Sequence, residues 1–231
     1  MKHFADYSDD RTRGMCVYCG GKPETREHVP SKIFLDKPYP SYLPIVEACA
    51  KCNHAYSLDE EYLACLIDCV ISGTTDSNAL QREKTKNSML HTLALTERIA
   101  GARRETDKGV IYDVEIHRVK NIVKKVATGH VLYELGSLLP MDDAEVSIAP
   151  LPCLDPEDIC YFENLGSVEM ASWPEAGSRA LQRLLILDEN YENGWIHVQR
   201  GRYRYSVTQS DTIDARIVFS EYLACLVRWE Q

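Results

Sequence analysis

Two Cys-x-x-Cys pairs, Cys16-Val-Tyr-Cys19 and Cys49-Ala-Lys-Cys52, constrain this chain more than any other feature. A Cys-x-x-Cys turn sets two thiolates on one side of a tight knuckle, and two knuckles close the tetrahedral shell that Zn2+ accepts. Gly20-Gly21 follows the first pair and permits the backbone to fold around a metal. The segment is too short to bury a core of its own, so a closed four-thiolate site would take the place of one. The other cysteines are Cys65, Cys69, Cys153, Cys160 and Cys225, giving an odd total of nine that does not suit a disulfide framework. A redox Cys-x-x-Cys usually occurs once, at a helix start in a βαβ setting, and neither condition holds here.

Between the knuckles lies Thr25-Arg26-Glu27-His28-Val29-Pro30. Taken in order, Cys16-x-x-Cys19-Gly20, Glu27-His28-x-Pro30 and Cys49-x-x-Cys52-Asn53 resemble the HNH endonuclease superfamily, over about residues 14–60. The resemblance implies a ββα-metal module stapled by zinc on Cys16, Cys19, Cys49 and Cys52. It implies His28 as general base, with Glu27 and Asn53 as ligands of a second, catalytic divalent ion, Mg2+ or Mn2+. His54 is an alternative ligand if the register slips by one, and Asp59 or Glu60 could complete the shell. The chain departs from the family pattern in three places. Ser41–Val46 lacks the central Asn, Glu27 stands for the more usual Asp, and Tyr56-Ser57 stands where the family has a Lys.

The chemistry can be argued without the family. Phosphodiester hydrolysis needs an activated water, in-line geometry and neutralisation of developing charge. A neutral imidazole takes a proton from water near pH 7. A hard cation on oxygen ligands stabilises the phosphate and the leaving oxygen. Adjacent strand residues point to opposite faces, so Glu27 and His28 can serve different partners. Arg26, Lys32 and Lys51 are placed to hold phosphates. The basic clusters Lys120-Lys124-Lys125 and Arg200-Arg202-Arg204, the latter with Tyr203 and Tyr205, read as solvated faces before nucleic-acid patches. His91, His117, His130 and His197 read as core or surface histidines, and Cys65 with Cys69 as core.

After the knuckles the texture changes. Ser57-Leu-Asp-Glu60 reads as a capping box opening a helix through Val70 that ends at Ser72-Gly73. Helices are expected over Asn78–Arg104 and Arg118–Leu138, with strands at Val110–His117, Val146–Ile148 and Cys160–Phe162. Trp195–Arg200, Tyr203–Val207 and Ala215–Phe219 alternate as antiparallel strands, with a turn at Arg200–Tyr203. Glu-Tyr-Leu-Ala-Cys-Leu occurs at both Glu61 and Glu221, by chance or through two similar core contacts rather than as a structural repeat.

The expected fold class is α+β: a zinc-stapled ββα-metal module in residues 1–60, then helices and a C-terminal antiparallel sheet in residues 61–231 that positions substrate or binds a partner. Residues 1–60 hold eight Lys/Arg and nine Asp/Glu, while the whole chain carries −9, so no broad basic footprint supports indiscriminate nucleic-acid coating. No run of eighteen apolar residues exists, and Met1–Arg13 is polar, reading as a loosely docked start without a secretory h-region. The expectation is therefore a cytoplasmic, metal-dependent HNH-type endonuclease acting on nucleic acid, DNA ahead of RNA, in a role analogous to bacterial or phage defence. Its C-terminal part would support a homodimer or a protein partner, and no membrane is involved. The rival expectations are a non-catalytic zinc-binding module that contacts nucleic acid or protein, and an assembly protein with an acidic interface.

Overall fold

Alternating apolar residues in the last third of the chain have to cover both faces of a sheet, and they do so in a six-stranded antiparallel one. A computed structural model describes residues 14–41, 43–107, 109–165 and 190–230; the polar start at residues 1–13 lies outside these. The architecture is mixed α+β. The chain divides into two compact units, one comprising residues up to His54 and from Val123 onward, the other Ala55–Ile122. The segment with the knuckles shares a unit with the C-terminal sheet, because its side chains pack there, as described below.

In the first unit, β1 (Thr25–His28) and β2 (Ile45–Ala48) form an antiparallel hairpin, and α1 (Ala50–Ala55) follows at once. The large sheet has the order β5-β10-β9-β8-β7-β6, from β5 (Glu145–Pro150), β6 (Tyr191–Glu192), β7 (Trp195–Gln199), β8 (Tyr203–Gln209), β9 (Thr212–Phe219) and β10 (Leu223–Glu230). The registers Tyr203↔Phe219, Tyr205↔Ile217 and Cys225↔Ile217 put one set of buried side chains on one face. Val123–Leu135, the C-terminal part of α5 (Ile116–Leu135), lies against that face. His130 stacks on Tyr205 with centroids 3.5 Å apart and its Nε2 lies 2.8 Å from the Tyr203 hydroxyl, while Tyr205 donates to Glu134 at 2.5 Å. His130 is thus a core histidine.

The opposite face carries Val218, Ala224 and Leu226 with Trp195, packed on Phe162 of α6 (Pro156–Glu163). A strand was expected at Cys160–Phe162. The helix forms instead because Asp155 caps it, accepting from Glu157 and Asp158 amides, Pro156 opens its first turn and both acids favour that end. Arg204 closes this face. Its Nη atoms bind both oxygens of Glu163 at 2.6 and 2.7 Å, its Nε binds Glu221, and its guanidinium lies 4.3 Å from the Trp195 ring. Arg200 pairs with Glu192 and Arg202 with Asp36, so this basic cluster is engaged in ion pairs.

In the second unit, α2 (Ser57–Ser72) packs on α3 (Glu83–His91), followed by α4 (Leu93–Ala102) and the hairpin β3 (Arg103–Thr106) with β4 (Gly109–Tyr112). The long helix expected over Asn78–Arg104 is therefore interrupted. Thr92 leaves helical geometry at φ −114, ψ 77, and Arg103-Arg104 enter a strand. The helix begins one residue earlier than a cap at Ser57 implies. Ser57 is already helical, and Tyr56 stands at the cap in an αR conformation without a side-chain cap bond. The helix ends as expected at Gly73, whose amide, with that of Thr74, bonds back to the last turn. The unit boundary falls within α5, after Ile122.

Candidate metal centre and the β1 site

Each knuckle is built by local hydrogen bonds. The Gly20 amide donates to Cys16 O at 2.8 Å and the Cys16 amide to Gly21 O at 2.7 Å. Gly20 takes φ +70, where a side chain would be strained. Val17 N donates to Glu47 O and Glu24 N to Ala48 O, tying this knuckle to the hairpin. The second knuckle enters α1, where the Cys52 amide donates to Cys49 Sγ at 3.4 Å and the Ala50 amide to Glu24.

These turns bring the Sγ atoms of Cys16, Cys19, Cys49 and Cys52 within 4.8 Å of one another, as metal ligation requires. Cys19 and Cys49 sulfurs are 3.8 Å apart. A tetrahedron with metal–sulfur bonds of about 2.3 Å has edges of about 3.8 Å, so the donor set fits zinc. Burial alone would raise Cys16, but hydrogen bonds with the backbone of Cys49, Tyr18 and Cys19 bring it down to about 7. Burial and the neighbouring thiols push Cys52 up. Four thiols this close cannot all ionise alone, and a divalent ion removes that restriction.

β1 leads from the first knuckle to the predicted base. Its alternation sets Thr25 and Glu27 on one face and Arg26 and His28 on the other. Asn53 of α1 donates from Nδ2 to Thr25 Oγ1 at 3.1 Å, and Thr25 donates to Ala48 O, so Asn53 is anchored to the Glu27 side of the strand. His28 is half-buried and Arg26 exposed. Lys51 is exposed on α1, and Lys32 lies 5.6 Å from the Tyr39 ring. His54 Nδ1 sits 2.8 Å from Ala50 O within α1. In the second unit, Asp59 binds Arg118 at 2.5 Å and Asn121 at 3.2 Å, and Glu60 is buried.

Glu27 is only 6% exposed, and its Oε1 is ion-paired with Nζ of Lys125, which is 1% exposed. The Lys125 ammonium also lies 5.8 Å from the Tyr18 ring beside the first knuckle. Lys125 belonged to an expected surface cluster; it faces inward because it sits one turn beyond Ile122 and beside Val126, on the apolar stripe of α5. That spacing was the available signal, and lysine's usual exposure masked it. The donor set for a second ion at Glu27 is thus less open than for zinc, because the carboxylate already holds a cation.

α5 approaches the strand end closely. A Cβ built on Gly129 would lie 2.8 Å from Val29 Cγ2, and Val29, next to His28, is 1% exposed. Gly129→Ala is expected to lower stability by about 1–3 kcal/mol through overpacking, despite alanine's better helix propensity. A urea titration measures this, and a gain in stability would show that Val29 yields freely.

No protein-family model, curated protein or solved structure matches this chain. No helix among the described residues is long and apolar enough to cross a membrane.

Proposed function

We propose that the β1–β2–α1 segment is the centre of an HNH-type endonuclease that hydrolyses phosphodiester bonds of nucleic acid, DNA ahead of RNA, with His28 as general base. One observation carries the reading: the four-cysteine cluster braces a hairpin that holds His28 half-buried at its strand end, beside Glu27 and opposite an anchored Asn53. A pure staple requires none of these three. His28 shares a strand face with exposed Arg26, which can hold a phosphate while the imidazole takes the proton of the attacking water. A divalent ion such as Mg2+ or Mn2+, if held by Glu27 and Asn53, would supply charge stabilisation at the scissile phosphate. The Glu27–Lys125 pair favours a second reading, in which the same module binds nucleic acid or protein without cutting.

Cleavage of supercoiled plasmid, single-stranded DNA and RNA with Mg2+ or Mn2+ separates the two. His28→Ala is expected to cut at least about a hundredfold more slowly with its zinc intact. Wild-type protein that cuts none of these substrates would leave the binding module, and undiminished cutting by His28→Ala would remove His28 from the chemistry.

A further inference from the structure

A buried lysine that keeps its charge needs an anion to offset the loss of water, and Lys125 has Glu27. The pair stands on the face of β1 to which Asn53 is anchored through Thr25, where the proposed function puts its oxygen ligands. Tyr18, from the zinc knuckle, lies near the same ammonium. Three elements thus converge on one positive charge: the first knuckle, β1 and α5.

We propose that the Lys125 ammonium is a resident cation at the Glu27 carboxylate, so that Lys125 and a divalent ion compete for one site. The inference rests on Glu27 being the carboxylate a divalent ion would use. An ammonium and a dication against one carboxylate repel each other strongly where water is excluded. Binding of the ion therefore requires the flexible four-carbon stem of Lys125 to withdraw its charge. The wild-type chain binds its second ion weakly for this reason, and the built-in cation keeps the strand in register when no ion is bound. A lysine that merely positioned Glu27 for the ion would have the opposite signature, because its loss would weaken ion binding.

The test uses the zinc-loaded full chain and Mn2+ alone, read by the electron paramagnetic resonance signal of free Mn2+ and by thermal melting. The thiolate site keeps its zinc, since Mn2+ prefers oxygen ligands. Lys125→Met is expected to bind Mn2+ at least tenfold more tightly than wild type and to melt higher as Mn2+ is added. Both gains are expected to vanish in the Glu27→Gln/Lys125→Met double variant. Binding no tighter than wild type, or a gain that survives Glu27→Gln, overturns the proposal. If Lys125→Met does not fold alone, Mn2+ is expected to restore it, and a chain that stays unfolded in Mn2+ also overturns it. Nucleic acid is absent from these measurements, so a failure to cleave would count against the nuclease reading and leave this result standing.

Discussion

Cys49→Ser is expected to release the zinc and unfold the β1–β2 hairpin while the large sheet persists. Structural zinc sites contribute apparent binding free energies of about 10–16 kcal/mol in zinc-finger peptides, comparable with or larger than the whole stability of a typical domain of about 5–15 kcal/mol. The hairpin has little to replace that with. Its buried apolar side chains are few, Val46 and Ala48 on β2 with Val17 and Val29 nearby, and its strands are four residues long. The large sheet also has packing that does not involve the hairpin, with α6 on one face and His130 and Glu134 of α5 against Tyr203 and Tyr205 on the other.

Metal analysis after dialysis against a chelator would give zinc in wild type and none in the variant. Amide hydrogen exchange would report the structure. The Val17, Glu24 and Val29 amides bond to Glu47, Ala48 and Pro44, so they should lose protection together, while β8–β9 amides keep theirs. Cobalt substitution provides a second check, because sulfur-to-cobalt charge transfer reports thiolate ligation. Full zinc retention with unchanged exchange would mean that three thiolates and the docking of the segment suffice. That docking is substantial: Phe34 meets Phe219 at 4.9 Å, and Asp36 binds Arg202 at 2.5 Å while its backbone exchanges two hydrogen bonds with Gln199.

What could be read from the sequence follows from how local each signal is. Knuckles are made within four residues, so Cys16, Cys19, Cys49 and Cys52 announce themselves. Alternation in Trp195–Arg200, Tyr203–Val207 and Ala215–Phe219 is also local, and strands form there. The repeated Glu-Tyr-Leu-Ala-Cys-Leu marks the limit of this kind of reading. At Glu61 it lies within α2; at Glu221 it passes from a turn into β10. Leu-Ala-Cys is buried both times. The difference lies outside the six residues. Ser220 and Glu221 take φ +53 and +47 and Tyr222 N donates to Phe219 O, in a three-residue connection, Ser220–Tyr222, that aligns Leu223 with Phe219. Register with β9 and β5 then decides for strand, a tertiary term that propensity does not contain. Lys125 was missed for a related reason. Its partner Glu27 lies far away in sequence, and only the fold brings the two charges together.

The second unit offers a buried polar contact whose disruption should cost as much as any core truncation. Asp68 on α2 pairs with Arg82 at 3.4 Å and accepts from the Thr85 hydroxyl at 2.5 Å, and the same hydroxyl oxygen lies 3.0 Å from Arg82 O. The charged side chains are 5% and 6% exposed. Asp68 therefore fixes how the start of α3 sits on α2, through one carboxylate and two partners. Asp68→Ala removes this carboxylate from a guanidinium out of water, which costs about 3–5 kcal/mol when a buried pair is broken from one side. The pair's net worth is smaller than that cost, since replacing these three side chains with apolar groups of similar volume also removes their desolvation penalty. Asp68→Leu/Arg82→Met/Thr85→Val is accordingly expected to recover most of the loss. Urea titrations of wild type, the single variant and the triple variant measure both quantities. A single variant within about 1 kcal/mol of wild type would mean that water reaches Arg82 once Asp68 is gone, a cost nearer that of an exposed pair. A triple variant no better than the single one would mean that Asp68 contributes through the geometry of α3 and not only by neutralising charge.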